Sequence, residues 1–98
     1  MNEKLAYTVA KEYLRGLKLT GHLEKIGFDL TDYRPNLCDP MLELLGIHET
    51  TDVILDIIDG YEEKVIKMNF FDFIEGGLDN LAKDMIMEIK EISGIIQT

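Results

Sequence analysis

The chain has 98 residues, 46% of them hydrophobic, and sets 19 acidic side chains against 10 basic ones for a net charge of −9. That length suits one domain, residues 1–98, and the apolar content argues for a packed core rather than a disordered acidic tail. Cys38 is the only cysteine, so an internal disulfide and a four-thiolate zinc site are both excluded, and a reducing compartment, the cytoplasm, is expected. The opening MNEKLAYTVAKEYL lacks the unbroken apolar run of a secretion signal, and no window is long enough to span a membrane.

The first helix is expected after Asn2 as N-cap, ending near Gly16–Lys18. Ala6, Ala10, Tyr13 and Leu17 repeat at gaps of 4, 3 and 4, with Leu5, Val9 and Leu14 widening the stripe. Lys4, Lys11, Arg15 and Lys18 fall mostly outside it, giving a mildly basic outer side. Two short helices of similar design follow. Thr20 can cap HLEKI, which Gly27 stops; Asp39 can cap PMLELL, which Gly46 stops, with Pro40 at the first helical position. Each glycine precedes an apolar residue, Phe28 or Ile47, five places after Leu23 or Leu42, the spacing of a Schellman stop. The two segments align as H-L-E-K-I-G-F and M-L-E-L-L-G-I, which two separate uses of one capping chemistry explain better than a repeat. Between them, 29–38 is irregular, and Leu30, Tyr33 and Leu37 can pin it to the core.

The central helix, Thr50–Met68, has two faces. Ile54, Ile58, Tyr61, Val65 and Met68 repeat at 4, 3, 4 and 3 on one side. Asp52, Asp56, Asp59 and Glu63 repeat two residues earlier, about 200° away and so on the other side. Thr50 or Thr51 can cap its start, while Lys64 and Lys67 suit its end. Asn69 can cap a short turn, FFDFIE, ending at Gly76–Gly77, with two of its three phenylalanines expected in the core. The last helix runs from about Leu78 to Ser93 on a seam of Leu78, Ala82, Met85, Ile89 and Ile92, and Gly94 ends it. No run alternates with period two, so no strand is expected. The expected fold is all-α: a compact single-domain bundle of about five to six helices, three long and amphipathic, two or three short.

Several chemical motifs are approached and missed. His48-Glu49-Thr50-Thr51-Asp52 resembles the zinc pattern H-E-x-x-H, but its second ligand is Asp and it opens a helix, where capping explains it. His22 and Lys25 resemble the H-x-x-K of phosphotransfer histidines, which lie midway along a long helix; here a first-turn position is expected. An acyl carrier would need a serine after aspartate at a helix head, and the only serine is Ser93. Asp56, Asp59 and Gly60 fail as a calcium loop because Leu55 and Ile57 occupy ligand positions. No catalytic group, metal or cofactor is therefore expected.

Charge is the remaining signal. Residues 29–63 hold ten carboxylates against Arg34 alone, whereas each flank holds four or five bases. Such a field repels nucleic acid and attracts basic protein surfaces. The expected role is a small acidic, non-enzymatic protein-binding module. Its concrete form is an inhibitor or immunity-type protein, of the kind phage and mobile elements carry, that mimics nucleic acid in the basic site of a nuclease. Asp52, Asp56, Asp59, Glu62 and Glu63 would present the charge, flanked by Asp39, Glu43 and Glu49, with Tyr33 or Tyr61 as aromatic anchor. The alternative is a structural adaptor or homodimer joined through Phe71, Ile95 and Ile96.

Overall fold

A computed structural model describes residues 2–27 and 38–94. Within them the chain forms four helices and no strand: α1 Glu3–Lys25, α2 Cys38–Leu44, α3 Asp52–Lys67 and α4 Leu78–Ile92. A single turn, Phe70–Asp72, and a kinked π-type segment, Phe73–Gly77, join α3 to α4. The fold is all-α, as expected, but with four helices instead of five to six.

The largest difference is in α1, which continues through Gly16 and Gly21 for 23 residues instead of stopping and restarting after Thr20. An interior glycine costs about 1 kcal/mol relative to alanine. Burying a leucine returns about 1.5–3 kcal/mol, and Leu14 and Leu17, either side of Gly16, are both buried. Packing therefore overrides propensity. The stop at Gly27 is where the sequence puts it, with φ at +107° and Gly27 N–H donating to Glu24 C=O.

The other caps follow their side chains. Asn2 Oδ1 accepts from Leu5 N–H at 3.1 Å, Thr51 Oγ1 from Ile54 N–H at 3.3 Å and Asn69 Oδ1 from Asp72 N–H at 2.8 Å. After α2, Ile47 N–H reaches Leu42 C=O and Gly46 N–H reaches Glu43 C=O, both at 2.9 Å, which completes the Schellman pattern. α2 itself starts at Cys38, so Asp39 and Pro40 lie in its first turn instead of preceding it and opening it.

α1 touches each of the other three helices, and α3 packs along α4. The core joins Ala6, Ala10 and Leu14 of α1 to Met41 and Leu45 of α2, Ile58 and Val65 of α3, and Ala82, Met85 and Ile89 of α4. Both seams predicted for α3 and α4 are buried except at their ends. Ile92 is 53% exposed because α4 reaches past the start of its antiparallel neighbour, leaving Ile92 beside Thr51 and Ile54 at the rim.

Three lysines, two of them buried, lock the helices together. Lys90, at the end of α4, holds Glu3 at 2.7 Å, while Lys11 holds Asp79 at 2.6 Å. Lys18 donates to the Ile66 carbonyl at 2.9 Å and also to the Met68 carbonyl, closing the C-terminal end of α3. The basic outer side expected of α1 is thus partly spent inside: Lys18 is buried, and burial pushes its ammonium below the ordinary lysine range, with Lys25 adding to the effect.

The Phe70–Gly77 connection also departs from expectation. Only Phe73 packs against the core; Phe71 is 73% exposed and Phe70 sits edge-on between His22 and Phe73. Gly76 has φ +103°, a left-handed turn that ends the stretch, and Ile74 before it is as exposed as Phe71. Gly77 is constrained differently, because a Cβ there would lie 2.6 Å from Asp72 O and 2.8 Å from Met68 Sδ. Gly77→Ala is expected to lower stability by about 1–3 kcal/mol, read from the shift of the urea midpoint.

The Lys11–Asp79 pair gives a second check. Lys11 holds the Asp79 carboxyl below its ordinary 3.8, so the pair's stabilisation is full above that pH and fades as pH falls through the lowered value. Asp79→Asn should therefore destabilise at pH 7 and converge with the wild type in strong acid, in urea melts at both pH values.

Candidate protein-docking face

The outward side of α3 carries the exposed acids. Asp52, Asp56 and Asp59 are all exposed, and none forms an ion pair among the described residues. The gaps of 4 and 3 keep them on one face, and on its two sides Val53 and Leu55 stay 50% and 44% exposed. A negative centre with apolar shoulders results.

The rest of the predicted ridge divides. Glu63 is exposed but bonded to Lys67 at 2.6 Å, which holds its carboxyl below the usual range. Glu62 faces α1, where it accepts from the Tyr13 hydroxyl, so it does not stand on the ridge. Glu43 is exposed and shares a depression with His48 and Thr50 at the start of α3, and Glu49 is exposed beside Thr51. The fold thus gathers Glu43 and Glu49 about the end of α3 that carries Asp52. Asp39 and Tyr33, expected beside this face, lie outside the described side chains.

Tyr61 is a correction. Expected as an anchor, it is only 7% exposed, since it belongs to the same seam as Ile58 and Val65. Burial pushes its hydroxyl well up, and a hydrogen bond to the Glu88 carboxylate adds to the shift. Lys64 Nζ lies over the face of its ring, 4.4 Å from the centroid.

What sequence reasoning missed is the groove next to Tyr61. Val53, Asp56, Ile57, Gly60, Lys64 and Glu88 border about 310 Å³ between α3 and α4. Gly60 keeps it open: its φ is unexceptional, and an added Cβ would meet nothing within 4 Å. Neither backbone geometry nor packing demands glycine there. A mid-helix glycine with no such requirement was the available signal.

The motif residues are dispersed. His48 stands exposed in the loop before α3, and His22 lies in the last turn of α1, so neither occupies the setting its motif requires. Among the described residues, no three His, Cys, Asp or Glu side chains are grouped to hold a metal, and no helix is long and apolar enough to cross a membrane. Comparison with protein families, curated proteins and solved structures finds no match.

The exposed face of α3 weakens its own helix. Asp52–Asp56 and Asp59–Glu63 are like-charge i, i+4 pairs at about 0.2–0.5 kcal/mol each, and Gly60 adds about 0.8–1.0 kcal/mol. Gly60→Ala is accordingly expected to raise the unfolding free energy by about 0.5–1 kcal/mol, measured in urea.

Proposed function

We propose that the protein is a non-enzymatic binding module whose α3 face docks on a basic surface of another protein. The concrete form is inhibition of a nuclease-like enzyme by occupation of its nucleic-acid site, a role suited to a phage or mobile-element protein of the cytoplasm. The observation that carries the reading is the row Asp52, Asp56 and Asp59, exposed, without a cation partner among the described residues and on one helix face. Such a row steers encounter with a cationic site and selects against acidic surfaces. Val53 and Leu55 then contribute apolar area on either side of the charge. Helix destabilisation by like charges and by Gly60 is consistent with a face shaped for a partner rather than for folding.

The test compares the wild type with a D52K/D56K/D59K variant as immobilised baits, in cell extract at low and high salt. Basic nucleic-acid-binding enzymes should be retained by the wild type at low salt, released at high salt and lost from the variant. Their nuclease activity should fall when wild-type protein is added back. Retention that ignores both salt and charge reversal would defeat the proposal.

A second reading, an adaptor or homodimer, draws on Phe71 and Ile74, 73% and 76% exposed on the kinked segment. Ile95 and Ile96, expected to share that contact, lie outside the described residues. Under this reading light scattering gives a dimer that F71D/I74D converts to monomer and D52K/D56K/D59K leaves intact.

A further inference from the structure

A second cavity lies on the opposite end of α3, where that helix meets the last turns of α1. It measures about 510 Å³ and is lined by Lys18, Gly21, His22 and Lys25 of α1 and by residues 66–70. In a chain with nearly twice as many acids as bases, none of these described lining residues is acidic. Two carboxylates near its lining in the chain are already engaged: Glu63 by Lys67 at 2.6 Å and Asp72 by Asn69 at 3.0 Å.

Two helices end at this cavity, and bare carbonyl ends would repel an anion. Lys18 removes much of that objection by donating to the Ile66 and Met68 carbonyls. An ammonium has three N–H donors, so one remains for the cavity. Lys25 is exposed, makes no ion pair among the described residues, and lies close enough to Lys18 for the two charges to repel. A bound anion relieves that repulsion. Elsewhere the buried lysine Lys90 and the half-buried Lys11 are answered by Glu3 and Asp79; here no described carboxylate plays that part.

Gly21 is the independent observation. It sits inside α1 with ordinary φ, a Cβ on it would meet nothing within 4 Å, and it lines the cavity. The helix bears an interior glycine that no packing contact requires, and the result is open space at the cavity wall. Phe70, edge-on to His22 at 4.8 Å, and Ile66 supply an apolar wall. The volume falls in the range of small-molecule sites and exceeds what one inorganic ion fills.

We propose that this cavity binds a small phosphomonoester, its phosphate held by Lys18 and Lys25 and its organic part against Phe70 and Ile66. The site is separate from the acidic face of α3 and does not depend on the role proposed for it. Inorganic phosphate and phenyl phosphate serve as probes, titrated into labelled protein and followed by amide shifts. Shifts should concentrate at Gly21, His22, Lys25 and Phe70, with phenyl phosphate the tighter of the two. Lys25→Glu should weaken phenyl phosphate by about tenfold or more. Gly21→Leu should do the same by filling the cavity while leaving the melting temperature unchanged or higher, since leucine favours helix. Shifts spread over lysines such as Lys4 and Lys83, binding that survives Gly21→Leu, or equal affinity for the two probes would each overturn the assignment.

Discussion

Everything in this fold depends on α1 remaining one helix. Among the described residues it packs against all three others, and its buried stripe supplies two fully enclosed alanines, Ala6 and Ala10, next to Tyr13, Leu14 and Leu17. Small side chains at those places let α2 and α4 come close, while the larger ones further along fill the space beside α3. Were the helix broken near Gly16, the residues beyond it, Lys18 above all, would no longer reach the end of α3. The scaffold and the cavity where α1 meets the end of α3 thus share one cause.

Polar ties set the directions that apolar packing leaves open. Hydrophobic burial is non-directional, so Ala- and Leu-rich faces alone allow helices to slide. Glu3–Lys90 and Lys11–Asp79 fix α4 along α1, and Tyr13–Glu62 and Tyr61–Glu88 fix the two flanks of α3. Several of these partners come from the acidic and basic populations that would otherwise be assigned to the surface. Net charge therefore overstates how much carboxylate is free, and the exposed row on α3 is smaller and better defined than a count of residues suggests.

The sequence made some of this legible and withheld the rest for identifiable reasons. Caps at Asn2, Thr51 and Asn69, the stops at Gly27 and Gly46, and the seams of α3 and α4 are local, periodic signals, and they read correctly. The continuity of α1 was hidden because Thr20 and two glycines imitate a boundary, and only tertiary packing decides otherwise. Glu62 and Tyr61 share a helix with the acidic face, but rotation about the helix axis places them against α1 and α4, which spacing from Asp52 already hinted. Phe70 and Phe71 misled because three phenylalanines on so short a turn cannot all face one way, and their spacing does not say which one the core takes. The two grooves depend on what a glycine leaves empty, Gly21 in one and Gly60 in the other, and emptiness has no periodicity to detect.

The placement of the lysines also has a practical meaning for handling the molecule. Exposed charges are screened within a distance of about 8–10 Å at ordinary ionic strength, whereas enclosed ones are screened far less. Lys90 is 5% exposed, so concentrated electrolyte barely reaches the bond by which it ties α4 to the start of α1. An eluent of high ionic strength would leave that tie standing.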